Sequence, residues 1–324
     1  MTERPPAEKA AGAVQTAQSA RGRPINLWGD AWRRLRQNRA AMVGLTFIAL
    51  LLLAAILAPV LAPFPYARVD FDNITMPPSR QYLLGTDSLG RDVLSRLMWG
   101  ARVSLSVSMV AQLVILLIGV PVGLISGYYG GWVDILIQRL VDILYAFPSL
   151  LLIIVIMTYL KAALKEVTGA IPLFLSRVST ATGGMLGVFL ALGLVFWLTV
   201  ARLVRGEVLS IKQKQFCESA RCIGASDRRI ITRHILPNVV APIVIATTFG
   251  IPAAIMMEAG LSFLGLGVEP PMPSWGMMIS EGVRNIRSYP YMLISPGVLL
   301  SLTLLAFNFL GDGLRDALDP WMKR

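Results

Sequence analysis

Residues 103–133 read VSLSVSMVAQLVILLIGVPVGLISGYYGGWV, a run of 31 positions without a charged side chain. An α-helix rises about 1.5 Å per residue and the hydrocarbon core of a bilayer is about 30 Å thick, so about 20 apolar residues are enough to cross it. The run therefore predicts a transmembrane helix and not the core of a soluble domain. The composition agrees, because 55% of the 324 residues are hydrophobic, only 15% are charged, and the mean hydropathy is +0.63.

Five further runs, uncharged apart from His234, lie along the chain. They cover residues 40–67, 143–160, 178–201, 234–257 and 288–311. The run at 143–160 has only 18 residues, and apolar side chains at helical spacing from Val133 to Leu144 predict that its helix begins before Asp142. Barrel strands alternate polar and apolar residues and would not produce such runs. The sequence therefore predicts an all-α integral membrane protein with six transmembrane helices.

The Lys and Arg residues are divided unevenly between the two sides of the membrane. With six spans both termini lie on one side, and the segments on that side hold 20 of the 30 Lys and Arg residues. Because cytoplasmic segments carry the excess of Lys and Arg, both termini are expected in the cytoplasm. The formal net charge of +11 then reflects orientation and does not indicate nucleic acid as a partner.

These features divide the chain into six consecutive segments. A stretch rich in Ala, Gln, Pro and Ser predicts a disordered tail, and Trp28 and Trp32 among several arginines predict a helix in the membrane interface. The residues at 161–184 are expected to form an extra external helix pair or a re-entrant element. The predicted boundaries are a disordered cytoplasmic tail at 1–24, an interfacial amphipathic helix at 25–41, the first transmembrane helix at 42–63, an extracytoplasmic loop at 64–103, a core domain with five transmembrane helices at 104–311 and a cytoplasmic C-terminus at 312–324.

Residues suited to catalysis or metal binding are scarce. His234 is the single histidine, and Cys217 and Cys222 lie five residues apart, which is not a metal-ligand spacing and predicts two reduced structural thiols. No Lys follows a Gly, so the phosphate-binding loop GxxxxGK[ST] is missing from the sequence. The sequence predicts that the chain is not an enzyme and binds neither a metal nor a cofactor.

The cytoplasmic loop at 202–238 has the pattern of a folded helix pair. The first helix is predicted from Gly206 to about Cys222, and Gly224 can adopt the left-handed conformation that closes it. The second helix is predicted to begin at Ser226 or Asp227 and to end before Pro237. A solvated basic loop and a DNA-binding helix-turn-helix are the alternatives. We expect a docking element, because a simple tether needs no such order and a loop fixed to two spans could hardly enter a major groove.

Four ordered blocks of residues resemble a known family. Glu218-Ser219-Ala220, Gly224 and Ile235-Leu236-Pro237 resemble the EAA signature of permease subunits in bacterial ATP-binding-cassette (ABC) importers. The other blocks resemble the C-type permeases of dipeptide and oligopeptide importers, and the resemblance extends from about residue 28 to residue 322. They run from Gly85 to Asp92, from Leu261 to Gly276 and from Asn308 to Pro320.

The resemblance implies a type I ABC importer permease fold in a bacterial inner membrane. It implies a homologous second permease of the B type, two ABC ATPase subunits that bind ATP and Mg²⁺, an extracytoplasmic solute-binding protein, and membrane lipid as partners. The cargo implied is a dipeptide or oligopeptide. The alternatives are the same architecture with a nickel chelate, glutathione or an oligosaccharide as cargo, and a secondary transporter.

Two sets of site residues follow for this sequence. The resemblance places contact with the ATPases in the cytoplasmic loop, where the short helix after Gly224 would be the coupling helix. A carboxylate inside a membrane span suggests function by default, although Glu258 near the outer end of its span could also be solvated, and Pro252 beside Gly250 would bend the helix. The ATPase-coupling candidates are Glu218, Ser219, Ala220, Gly224, Ala225, Ser226, Asp227, His234, Ile235, Leu236 and Pro237, and the candidates for the gate or pathway are Gly250, Pro252, Met256, Glu258 and Asn308.

The second span also carries Gly119, Gly123 and Gly127 at four-residue spacing. Such a spacing aligns the three glycines on one helix face and predicts that another helix approaches closely there. The ridge could serve static packing or a moving interface, and the residues do not separate the two.

Overall fold

The computed structural model describes residues 27–165 and 184–318. Within these ranges the protein is helical, and pairing of extended backbone is limited to one isolated β-bridge between Thr86 and Asp92. The predicted tail at 1–24 and most of the segment predicted at 161–184 lie outside the described residues.

The helices are numbered here in chain order. Their bounds are α1 Leu27–Gln37, α2 Arg39–Ile56, α3 Ala58–Leu61, a 3₁₀ turn Phe71–Asn73, α4 Val93–Tyr129, α5 Gly131–Tyr145, α6 Ser149–Lys165, α7 Met185–Ile211, α8 Gln215–Cys222, α9 Asp227–Ile230, a π turn Ile231–Ile235, α10 Leu236–Phe263, α11 Trp275–Arg284 and α12 Tyr291–Leu318. Among the described residues, five helices are long and apolar enough to cross a membrane, namely α2, α4, α7, the continuous helix formed by α9, the π turn and α10, and α12. The bent pair α5 and α6 passes the same test together, which gives six spans when the pair counts as one.

The third span differs from the continuous helix that the sequence predicts. Helix α5 contains the apolar stripe from Val133 to Leu144, but it ends at Tyr145, and α6 leaves at 92° to it after a break of three residues. Pro148 lies in the break, where its missing N–H and the steric restriction on the residue before it disfavour a continuous helix. The apolar stripe therefore lies on α5, and the bent pair of α5 and α6 takes the place of the single continuous helix that the sequence predicts.

The first two helices meet at residue 38. Asn38 is the N-cap of α2, and its Oδ1 accepts a hydrogen bond from the Ala41 backbone N–H at 3.1 Å. The helix that the sequence predicts at 25–41 thus ends at Gln37. The spanning helix ends at Ile56 and is followed by the short α3, whose Pro59 lies at the start of that helix.

The glycine ridge of α4 packs directly on α7, as the spacing predicts. A Cβ atom added at Gly123 would lie 2.6 Å from the Ala201 carbonyl oxygen and 2.7 Å from the Val204 Cβ. Gly119 and Gly127 meet Val200 and Val208 in the same way, with Cβ separations of 2.9 and 2.7 Å. Only glycine permits the two backbones to come this close.

Candidate functional site

The element that the sequence predicts at 202–238 is built from the end of α7, the short helix α8 and the start of the helix formed by α9 and α10. The predicted helix from Gly206 to Cys222 is interrupted, because α7 ends at Ile211 and α8 begins at Gln215. The interruption turns Cys217 and Ala220 toward a cluster of buried apolar residues that includes Val208, Ile211, Ile230 and Ile235. At the interruption the Lys212 N–H still donates to the Val208 carbonyl at 2.9 Å, and the Lys214 N–H donates to the Ile211 carbonyl at 3.0 Å.

Gly224 forms the turn between α8 and α9. Its φ is +77°, and the backbone N–H of Ala225 donates to the Ala220 carbonyl at 3.0 Å, which closes α8. A Cβ added at Gly224 would have no atom within 4 Å. The requirement for glycine is therefore conformational and not a matter of space.

The second helix of the element does not end before Pro237, contrary to the prediction. Ile231 to Ile235 form a π turn, and α10 continues from Leu236 to Phe263 with Pro237 in its first turn. The missing N–H of Pro237 costs no hydrogen bond in a first turn, and the wider π turn gives its ring room. Ser226 occupies the N-cap position of α9 without a side-chain cap hydrogen bond.

Hydrogen bonds from two side chains attach this element to the C-terminal end of α4. The Tyr128 hydroxyl donates to Asp227 Oδ1 at 2.6 Å, and Lys212 Nζ donates to the Gly127 carbonyl at 2.8 Å. The Arg221 guanidinium also lies over the Tyr128 ring, 5.5 Å from its centroid. Sequence reasoning missed Tyr128, because its partners are about 90 residues further along the chain.

The outer surface of the element contains an open cleft of about 630 Å³. Ile223 is 85% exposed at its rim, while Ala220 and Ile235 lie buried beneath. Of the predicted residues, Glu218, Ser226, Asp227 and Pro237 are exposed outside the cleft lining. The lining consists of Phe216, Ser219, Ala220, Ile223, Gly224, Ala225, Arg229, Arg233 and His234. An apolar rim with two arginines is suited to docking another protein.

The two cysteines of this element have different environments. Cys217 is buried and Cys222 is exposed, and both are free thiols. Burial raises the pKa of the Cys217 thiol, against a smaller opposite effect of Arg221.

The five candidates for a gate or pathway do not form one cluster. Gly250 lines a second cavity of about 420 Å³ between α4, α7 and α10, and Met256 is exposed on the neighbouring face of α10. Pro252 and Glu258 are buried, and Asn308 is exposed on α12.

Glu258 has no exposed surface, so a solvated position near the interface is wrong. The Ser104 hydroxyl donates to its Oε2 at 2.9 Å and the Ser262 hydroxyl to its Oε1 at 2.6 Å. The Ser274 hydroxyl in turn donates to Ser262 at 3.1 Å. The carboxyl group thus joins α4, α10 and the start of α11, since Ser274 is the N-cap of α11.

A cluster of charged residues holds the external loop to α11. Arg96 and Asp87 are buried and paired with each other, Arg96 Nη1 lies 2.6 Å from Glu281 Oε2, and Arg91 Nε lies 2.7 Å from Asp87 Oδ2. This cluster was not predicted from the sequence, because Glu281 lies 185 residues beyond Arg96 and no local pattern joins them.

Five apolar helices of spanning length, or six with the bent pair counted as one, together with a folded helical element between α7 and α10 have the architecture of a transport permease. The chain belongs to the family of binding-protein-dependent transport system inner membrane components, whose model matches residues 119–324. The N-terminal TM domain of oligopeptide transport permease C matches residues 26–78. The chain is therefore a permease subunit of an ABC importer and a multi-pass inner-membrane protein, and it is not an enzyme.

Permease proteins of known transport systems are similar to this chain over nearly its whole length. The oligopeptide transport system permease protein OppC of Bacillus subtilis is 38% identical over 98% of this chain and 97% of its own. The dipeptide transport system permease protein DppC of Alkalihalophilus pseudofirmus is 40% identical over 92% of this chain and 91% of its own. The glutathione transport system permease protein GsiD of Escherichia coli is 42% identical over 91% of each chain.

A solved structure supports the fold independently. A chain of the MetNI methionine ABC transporter in an inward-facing conformation superimposes with a TM-score of 0.51 at 19% identity. It covers 68% of this chain, and 96% of that chain is matched. The predicted type I importer permease fold is confirmed.

Proposed function

We propose that this permease forms half of the pathway of an ATP-driven importer for dipeptides and oligopeptides. The observation that carries the proposal is the similarity over more than nine tenths of both chains to permeases named for these cargoes. The other half is a homologous B-type permease, two ATPase subunits bind ATP and Mg²⁺, and an extracytoplasmic binding protein delivers the solute. Both termini lie in the cytoplasm, in keeping with the excess of Lys and Arg there.

Glutathione is the second candidate cargo, because the GsiD relative is 42% identical over a comparable length. Glutathione is itself a tripeptide with a γ-linked bond, so both candidates belong to one chemical class. Nickel chelates, oligosaccharides and ion-coupled secondary transport have no such support.

The cleft around Gly224 is the docking surface for one ATPase subunit in this proposal. Ile223 offers an apolar side chain that is 85% exposed, and Arg229 and Arg233 attract an acidic partner. The hydrogen bond between Tyr128 and Asp227 then carries a displacement of the element into α4. Glu218, exposed on α8, contacts the same partner from outside the cleft.

The exposed face of α10 with Ala253 and Met256 borders the pathway in this proposal, together with Gly250. Glu258 fixes α4, α10 and α11 to one another and does not touch the solute, because its oxygens accept from Ser104 and Ser262.

Reconstitution tests the proposal. Proteoliposomes with both permeases, the ATPases and the binding protein should take up a radiolabelled tripeptide only with ATP. A Gly224→Val variant should insert normally but lose ATPase co-purification and uptake, because a β-branched residue is strongly disfavoured at φ +77°. Gly206→Val is the matched control, since its Cβ would meet no atom within 4 Å and its backbone is helical. Uphill uptake by this chain without ATPase subunits would refute the proposal.

A further inference from the structure

The second cavity lies between three spanning helices at the middle of their length. Its volume of about 420 Å³ is within the range of about 300–1,000 Å³ typical of small-molecule sites. Helix α4 contributes Gln112 and Ile115, α7 contributes Phe196, Thr199, Val200 and Leu203, and α10 contributes Ala246, Phe249, Gly250 and Ala253. None of these side chains carries a charge.

Gln112 is the polar group that distinguishes this cavity from an apolar void. Its side chain is 3% exposed, and its Oε1 has no hydrogen-bond partner among the described residues. An unsatisfied buried polar atom costs about 1–3 kcal/mol, so such an atom calls for an explanation by a ligand or a function. The hydroxyl of Thr199, by contrast, is already hydrogen-bonded to Tyr145 at 2.8 Å.

Gly250 provides the room that the Gln112 amide occupies. A Cβ atom at residue 250 would lie 2.4 Å from Gln112 Oε1. The amide is thus held against the backbone of α10 at the wall of the cavity with its Oε1 covered, so it must turn away from Gly250 to meet a solute, and any larger residue at 250 would displace it.

We propose that this cavity binds a secondary amide of the transported solute, with Gln112 as its hydrogen-bonding partner. The inference rests on the proposed function and names a binding site within it. A primary amide presents one acceptor and two donors side by side, which matches the N–H and C=O of a peptide group. The apolar lining accommodates an uncharged side chain, and the charged termini of a peptide are held outside this cavity because no lining residue can pair with them.

A lipid acyl chain is the competing occupant. It would fill the apolar part of the cavity but would leave Gln112 Oε1 without a partner. The exposed Ala253 offers a place to distinguish the two, because it lies in the lining and borders the open side of α10.

The transport test compares trialanine with trialanine methylated on both amide nitrogens, in the complete reconstituted importer. We expect the wild type to take up trialanine at least tenfold faster, and Gln112→Leu to reduce this ratio to within twofold. Ser108→Ala is the matched control, because Ser108 is one turn away on α4, bonds only to the Leu105 carbonyl and is outside the lining. Since the binding protein is the same throughout, a change in the ratio belongs to the permease. An unchanged ratio in Gln112→Leu would overturn the inference and leave the proposed function standing.

The binding test does not depend on transport. In a Cys222→Ser background, Ala253→Cys is labelled with maleimide in nanodiscs with or without N-acetylalanine N-methylamide, an uncharged probe with two secondary amides. Protection by the probe that disappears in Gln112→Leu supports the site, even if trialanine is not a cargo and the proposed function fails. Labelling that is equally fast with and without the probe, or slow in both cases as lipid occupancy requires, overturns the inference.

Discussion

The contact between the glycine ridge of α4 and helix α7 can be tested by a single added methyl group. Gly123→Ala places a Cβ atom 2.6 Å from the Ala201 carbonyl oxygen and 2.7 Å from the Val204 Cβ. Ordinary Cβ contacts begin at 3.4 Å, so the helices must separate by about 0.8 Å at this point or distort. Extra atoms in a well-packed interior typically cost about 1–3 kcal/mol.

Gly260→Ala is the matched control for this substitution. It makes the same chemical change in the spanning helix α10, but its Cβ would meet no atom within 4 Å. Both variants gain about 1 kcal/mol in helix propensity, so the difference between them isolates the steric cost. We expect the free energy of unfolding of Gly123→Ala, measured by SDS titration in mixed micelles, to be lower than that of Gly260→Ala by about 1–3 kcal/mol.

Equal unfolding free energies for the two variants would refute the close contact of α4 and α7. The same pair also separates the two roles of the ridge. If uptake by Gly123→Ala falls only as far as the amount of folded importer falls, the ridge serves static packing, whereas a loss of uptake at unchanged assembly shows that the interface moves during transport.

Further predictions concern the cytoplasmic cleft. Ile223→Ala removes three carbons from a side chain that is 85% exposed, and at about 0.8 kcal/mol per carbon this weakens ATPase binding by about 2 kcal/mol, or about 30-fold. The control is Ile286→Ala, whose side chain is 48% exposed on the expected external side and whose loss should leave the dissociation constant in a nanodisc binding assay unchanged. An equal loss of affinity in both variants would contradict the assignment of the cleft. Maleimide should label Cys222 at neutral pH and spare Cys217, whose burial and raised thiol pKa keep it unreactive until the pH is much higher, and bound ATPase subunits should protect Cys222. If intact-mass analysis showed that maleimide labels Cys217 rapidly, α8 would not be packed as described.

The spans and the ridge were predictable because they depend on local patterns. A run of about 20 residues without a charge identifies a helix that can cross the membrane. Glycines at four-residue spacing identify a helix face that another helix can approach closely, whichever helix that is. The left-handed turn at Gly224 was also predictable from a local feature, because glycine is the residue type that adopts a positive φ without strain.

The features that sequence reasoning missed depend on contacts between distant residues. The stripe from Val133 to Leu144 correctly indicates a helix and Pro148 marks the break after it, but no local pattern sets the 92° angle between α5 and α6. The depth of Glu258 in its span suggested solvent, whereas hydroxyls from α4 and its own helix enclose it. Gln112 gave no signal at all, because an amide in a long apolar run is unremarkable until its partners are counted.

Helix α4 links these separate contacts into one mechanical element. Its 37 residues extend about 55 Å, and they include Arg96 and Ser104 toward the N-terminal end, Gln112 in the cavity wall and Tyr128 at the C-terminal end. Tyr128 binds Asp227 of α9, Ser104 binds Glu258, and Arg96 binds Glu281 of α11. Because the glycine ridge fixes α4 to α7 between these points, a displacement at Asp227 cannot be absorbed by sliding of α4 alone. It must either move α4 and α7 together, which alters the third wall of the cavity at α10, or break a buried contact at one end.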